Sequence, residues 1–304
     1  MTCAVNLSPS RSDSPTADEG LDVAAALEAG RRTLLTRSGD DARREALFLL
    51  AGVLQITPGA VALERRRPLT ATQRAEYEAR LARRAQGEPL QYIEGHAAFR
   101  QLNLRVDPSV LIPRPETELL VECVLERCRG RQGLRALDLG TGSGAIALSL
   151  ACEGNFEFLV GVDISPAALN LARYNATDAG VEGRVDWRAG SLYSALQSGE
   201  RFDVIVSNPP YIANGEAESL PSEVRDWEPA VALFAGPSGV EVIEEIVSGA
   251  PRHLEPGGLL ALEVAPGVAE ATLKLIRGSG SFEEPELLTD LAGTPRIVLA
   301  APEH

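Results

Sequence analysis

Residues 134–148 read LRALDLGTGSGAIAL. The first six are apolar apart from Arg135 and Asp138, and have the length and density of a buried strand. Residues 145–152, AIALSLAC, have the apolar density of a helix. Between the two stand Gly140, Gly142 and Gly144, at alternate positions. Glycine lets the backbone turn tightly and lets another group approach without meeting a Cβ. A strand, a glycine turn and a helix open a βα unit. The alternation continues, with strands expected at residues 156–163, 184–189, 202–207, 257–264 and 295–301. Residues 165–180 form a helix between two of them, with Ser165 as cap and Pro166 at the next position. The sequence therefore predicts an α/β doubly wound sheet, in which ligands sit at the carboxyl ends of the strands.

The part before this sheet differs in kind. Residues 1–20 are rich in Ser, Pro and Asp and are expected to be a disordered tail. From residue 21 to about 89 the pattern is helical, with about four helices. Asp40 or Asp41 would cap the second, with Leu47, Leu50 and Leu54 at helical spacing. Thr57 before Pro58 marks a third start. Thr70 and Gln73 form a capping box for the fourth, which Gly87 and Pro89 close. Residues 90–115 read as a hairpin linker, with strands at 99–106 and 110–112 around Asp107-Pro108-Ser109. Residues 116–128 then form a helix with Leu119, Leu120, Val124 and Leu125 toward a core. Residues 116–304 make up the remaining domain.

Charge and cysteine usage exclude several classes. The net charge is −14 over 304 residues. Residues 96–304 hold 16 basic against 30 acidic residues, and Lys274 is the chain's single lysine. Broad binding to a phosphate backbone relies on Lys and Arg, so direct nucleic-acid partners are not expected. Four cysteines without a CxxC pair and three scattered histidines give no zinc-type cluster, and no metal is expected. No signal-peptide core and no apolar run long enough to span a membrane is present, so the expected setting is the reduced cytoplasm.

The glycine turn admits two chemistries. Gly140, Gly142 and Ala145 satisfy the dinucleotide fingerprint, which places a pyrophosphate on the helix N-terminus. The same glycines, two residues after Asp138, satisfy the loop of S-adenosylmethionine-dependent methyltransferases. The lysine of a P-loop is missing. Asp163 ends the second strand, nineteen residues after Gly144, where its carboxylate can accept bonds from both hydroxyls of a ribose. Up to this point the cofactor contains adenosine, and hydride and methyl transfer remain open.

Residues 207–212, SNPPYI, bear on that choice. Two prolines end the fourth strand, because proline donates no ladder hydrogen bond. They deliver Asn208, Pro209, Pro210 and Tyr211 to the sheet edge that holds the glycine turn. A planar NH2 acceptor has a delocalised lone pair and is a poor nucleophile. Two oxygen acceptors would hold its hydrogens and aim its face at a methyl group. The Asn208 side-chain oxygen can be one, and the Pro209 carbonyl, aimed by the fixed φ of proline, the other. Positive charge then develops on the nitrogen, and preorganised oxygens stabilise it in the transition state. Tyr211 offers a flat face to the planar group. Hydride transfer has no use for this tetrapeptide.

These features together resemble the peptide chain release factor glutamine methyltransferases. The resemblance rests on residues 88–122, EPLQYIEGHAAFRQLNLRVDPSVLIPRPETELLVE, with DLGTGSGAIAL (138–148), VSNPPYI (206–212), WEPAVALFAGPSGVEVI (227–243) and TDLAGTPRIVLA (289–300). It implies a Rossmann-like seven-stranded methyltransferase sheet, a small all-helical N-terminal domain that docks the release factor, and a β-hairpin linker. The implied reaction methylates the glutamine side-chain amide of a Gly-Gly-Gln loop, with S-adenosyl-L-methionine as cofactor. By position, Asp138, Gly140, Thr141, Gly142, Ser143, Gly144, Asp163, Ser191, Leu192 and Asn208 would hold the cofactor. The segment from Asn208 through Pro209 and Pro210 to Tyr211 would hold the glutamine, with Arg114, Pro115 and Glu116 at the entrance. The chain departs from the family where EIG is followed by glutamine, reading Glu263-Val-Ala-Pro, and at Gly190-Ser191-Leu192 after the third strand. The competing readings are an amine methyltransferase acting on a flipped adenine, one acting on a ribosomal-protein glutamine, and a noncatalytic binding module. The acidic catalytic part argues against the first, and the intact Asp138, Asp163 and Asn208 against the last.

Overall fold

The structure, a computed structural model, describes residues 21–303. The tail expected to be disordered lies outside the described residues. The chain divides into two compact units, Met1–Gln86 and Gly87–His304.

In the first unit, α1 (Val23–Ser38), α2 (Ala42–Leu54) and α3 (Ala71–Ala85) bury Ala26, Leu34, Ala46, Leu49, Leu50 and Tyr77 among them. Tyr77 donates its hydroxyl to the Ala46 carbonyl at 3.0 Å. Gly30 makes room for it, since a Cβ there would lie 2.1 Å from the Tyr77 oxygen. The Thr70–Gln73 capping box closes in both directions. Thr70→Ala is expected to cost about 1 kcal/mol of stability, measurable by urea denaturation. The two other start signals give less than expected. Asp41 has helical backbone angles, so its side chain makes no cap, and a 3-10 turn, Gly39–Asp41, runs straight into α2. Thr57-Pro58 opens only a five-residue 3-10 turn, Pro58–Ala62.

The second unit begins with α4 (Leu90–Glu94) and the hairpin of β1 (His96–Phe99) and β2 (Leu102–Arg105). Phe99 pairs with Leu102, which puts the hairpin turn at Arg100-Gln101 and corrects the expected turn at Asp107-Pro108-Ser109. Arg100 adopts a left-handed φ of 50°. Its backbone N–H donates to Glu118, and its guanidinium reaches Glu122 and Glu153 at 2.7–2.8 Å. These charge-assisted bonds offset the local strain. Residues 107–109 still turn, with Asp107 accepting from the Ser109 N–H at 2.8 Å, but beyond the hairpin.

The main sheet follows: α5 (Pro115–Arg127), β3 (Leu134–Leu139), α6 (Ala145–Glu153), β4 (Phe156–Asp163), α7 (Pro166–Asp178), β5 (Val185–Ala189) and β6 (Phe202–Ser207). A small pair, β7 (Ile212–Ala213) and β8 (Phe234–Gly236), brackets the short helices α8 (Ser222–Arg225) and α9 (Ala230–Leu233). The chain ends with α10 (Glu241–His253), β9 (Leu254–Glu263), α11 (Pro266–Ser279), β10 (Glu286–Thr289) and β11 (Pro295–Ala300). The seven-stranded sheet has the order β10-β11-β9-β6-β3-β4-β5, parallel except for β11, which is antiparallel to both neighbours. Strand alternation sorts the core into two layers. Ala136, Val204 and Val206 face α5 and α6, whereas Leu137, Leu139 and Ile205 face α10 and α11. The strand order reverses between β3 and β6. That is where a doubly wound sheet opens a crevice.

Candidate active site

The register of β3 against β6 brings the two motifs together. Leu139 pairs with Ser207, so the glycine loop and Asn208 leave the sheet side by side. Ser207 locks this by donating its hydroxyl to the Leu139 carbonyl at 2.6 Å.

Gly140, Gly142 and Gly144 all have positive φ, at 72°, 55° and 84°. A Cβ on Gly140 or Gly142 would meet no protein atom, so both glycines keep open space free. Gly144 works differently, because its Cβ would press on Trp187 and Leu148 at 3.0 and 3.1 Å. Gly144 thus serves the close packing of α6. Behind the loop, Asp138 accepts from the Thr141 hydroxyl at 2.6 Å and the Ala147 N–H at 3.2 Å. Burial pushes its carboxyl up to about 7, against the bonds from Thr141 and Ala147. Asn175, fully buried, ties the Ser143 carbonyl to the backbone of Arg105 in the hairpin.

Asp163 turns one carboxylate oxygen to the Gly142 N–H and the other to the Ser165 N–H, each at 2.8 Å. Burial raises its pKa while these bonds lower it. Ser165 caps α7 by accepting from Ala168.

One cleft is lined by Gly140, Thr141, Gly142, Ser143, Asp163, Ser191, Leu192 and Asn208. Asp138 and Gly144 are outside its lining and support the loop from behind. Leu192 holds a left-handed φ of 45°, a strained backbone in the cleft wall. Ile164, an apolar side chain 58% exposed, adds a surface beside Asp163. A second, smaller cavity is lined by Pro209, Tyr211, Ile212, Val224 and Leu233. Asn208 and Pro210 line both cavities, as does Arg114.

The Asn208–Tyr211 segment is held at both ends, by β6 before it and by β7 after it, where Ile212 pairs with Phe234. Gly239 packs against it so closely that a Cβ would lie 2.7 Å from the Tyr211 carbonyl oxygen. Burial, then the nearby Glu263, push the Tyr211 phenol up to about 12. Asn208 donates its amide nitrogen to the Thr117 hydroxyl at 3.0 Å.

Arg114 lines the cleft, but its guanidinium is committed to the buried Glu228. Pro115 and Glu116 do not line it; Glu116 pairs with Arg296. Thr117, the next residue, also lines the cleft, and nothing in its local sequence singles it out.

The arrangement is similar to known proteins over most of its length. Residues 25–95 match the PrmC N-terminal domain and residues 115–222 the methyltransferase small domain. A release factor glutamine methyltransferase of Koribacter versatilis is 42% identical over 233 residues, 77% of this chain and 81% of that one. Another, of Moorella thermoacetica, is 39% identical over 275 residues, 90% of this chain and 96% of that one. Among solved structures, a methyltransferase from Pyrococcus furiosus covers 74% of this chain and 98% of its own, with a TM-score of 0.51 at 21% identity. That last likeness concerns the fold.

Proposed function

Since the chain belongs to the release factor glutamine methyltransferase family, we propose that it methylates the side-chain amide nitrogen of a release factor glutamine. S-adenosyl-L-methionine is the proposed methyl donor, and when bound it supplies an electrophilic methyl group on a sulfonium. The open backbone at Gly140 and Gly142 and the oriented Asp163 carboxylate fit such a group, with Ile164 as an apolar surface for its base. The single observation that carries the reading is the place of Asn208. It lines both the cleft with the glycine loop and the neighbouring cavity with Tyr211. In this reading Asn208 Oδ1 and the Pro209 carbonyl accept the two hydrogens of the glutamine amide. Tyr211 packs on its plane. The proton released on methylation is acidic and passes to water, so no strong base is required. We also place the enzyme in the cytoplasm, where release factors work; no described helix is long and apolar enough to cross a membrane.

The decisive assay incubates the protein with labelled S-adenosylmethionine and, in parallel, release factor, ribosomal protein and DNA. Label on the release factor glutamine, located by mass spectrometry, is the expected result, and label on DNA instead would reject it. The helical unit, with Leu35, Phe48 and Leu63 exposed on it, is proposed to dock the release factor. Deleting residues 1–86 is expected to raise KM for whole release factor and leave donor affinity unchanged. Equal KM before and after deletion would remove the docking role.

A further inference from the structure

Gly190, Ser191 and Leu192 line the cleft where the chain leaves β5 and enters a 3-10 turn, Leu192–Ala195. One end of this span is fixed by the Gly190 N–H, which donates to the Asp163 carbonyl at 3.0 Å. The other end needs a firm hold, because Leu192 keeps a left-handed φ of 45° that a leucine rarely adopts. The next residue supplies it. Tyr193 donates its hydroxyl to the Ile246 carbonyl of α10 at 2.8 Å. Its ring lies over Gly249, where a Cβ would come within 2.3 Å of a ring carbon. The ring also stacks on His253, with centroids 5.0 Å and planes 6° apart. His253 is itself tied, with Nδ1 3.0 Å from the Glu200 carbonyl oxygen.

The seat of Tyr193 and the cleft share one helix. Val242 and Glu245, in the first half of α10, line the cleft. Ile246, Gly249 and His253 follow them at the three- and four-residue steps that keep to one helix face. A tyrosine seated on that face draws the turn up to the helix that helps to wall the cleft. Resting on the donor reading above, we infer that Tyr193 is a positioning residue for the methyl donor, which keeps residues 190–192 in the cleft wall by seating the turn on α10 over Gly249. Tyr193 does not line the cleft, so it acts through Leu192. When the turn is released, the strain at Leu192 relaxes. The donor then selects the fraction of molecules in which the wall is formed, and its apparent affinity falls by that fraction. None of these residues lines the neighbouring cavity with Tyr211, so the effect stays on the donor side.

Titration calorimetry with S-adenosylmethionine compares Tyr193→Leu, Tyr193→Phe, Gly249→Ala and Asp163→Ala with the wild type, beside steady-state kinetics on release factor. Tyr193→Leu removes ring and hydroxyl together, and its Kd is expected to rise about tenfold. Tyr193→Phe loses only the bond to Ile246, and a rise of about threefold is expected. Gly249→Ala closes the seat without touching Tyr193, and its Kd is expected to rise like that of Tyr193→Leu. Alanine favours a helix interior over glycine, so a loss there does not come from a weaker α10. In all three, KM for release factor is expected to stay unchanged, and kcat at saturating donor to fall far less than affinity. The inference is overturned if Tyr193→Leu or Gly249→Ala binds the donor as the wild type does. It is equally overturned if KM for release factor rises as much as the donor Kd, because the loss would then be general. Where Tyr193→Leu or Gly249→Ala does not fold, Tyr193→Phe decides, and normal donor affinity in it overturns the inference. Unchanged affinity in Asp163→Ala rejects the donor site itself, and the role of Tyr193 with it.

Discussion

Replacing Asn208 by alanine is expected to slow methyl transfer by roughly 10²–10³-fold, with affinity for the methyl donor nearly intact. Asn208 lines both cavities, whereas Gly140, Gly142 and Asp163 line only the cleft at the glycine loop, the proposed donor site. In the proposed clamp, alanine removes an acceptor that matters most when positive charge appears on the glutamine nitrogen. An interaction stronger in the transition state than in the ground state lowers kcat and kcat/KM together. Steady-state kinetics with donor and release factor varied separately, beside calorimetry of the demethylated donor product, distinguishes the two effects. A variant with normal kcat would mean that the amide is aligned by other groups.

Asp163→Ala is expected to act on the other side of the reaction, weakening donor binding by roughly 10²-fold, since each hydrogen bond to a charged acceptor carries about 1.5–3 kcal/mol. The carboxylate organises the Gly142 N–H and the Ser165 N–H, and so the geometry of both the glycine loop and the start of α7. Its loss would remove the proposed acceptor for the ribose and loosen the loop at once. Titration calorimetry with S-adenosylmethionine checks this, and kcat at saturating donor should fall much less than affinity. Unchanged affinity would place the ribose elsewhere.

What could be read in advance follows from how local each signal is. The glycines of residues 140–144 and the two prolines of Asn208-Pro209-Pro210-Tyr211 constrain their own backbone, so residue type alone betrays them. Asp138 is also visible, but its distance from the cleft is not, because a buried acid that braces a loop looks in sequence like one that binds a ligand. The hairpin turn lies away from its expected place for a related reason. Asp107-Pro108-Ser109 is a strong local turn signal, whereas Arg100-Gln101 has none and owes its turn to glutamates on α5 and α6. Helix α10 has its apolar spacing in Ile243, Ile246, Val247 and Ala250, yet Gly249 and Pro251 fall within it and read as breaks. Strand β10 is short and half exposed, and only its pairing with β11 defines it. Thr117 meets Asn208 only because α5 packs against the sheet, which no local pattern encodes.

The pairing of Leu139 with Ser207 has a further bearing on this chemistry. A parallel ladder admits only whole-residue steps, each of about 3.3 Å. Slipping β6 by one step against β3 would move the amide clamp that far from the donor loop and turn every apolar side chain of the strand to the opposite layer. The spacing between the two halves of the reaction is therefore digital. It is kept by the same hydrogen bonds and apolar packing that keep the protein folded, and it cannot drift by fractions. The short helices α8 and α9, whose Val224 and Leu233 line the neighbouring cavity, lie outside this ladder, so a change of shape there would leave that spacing as it is.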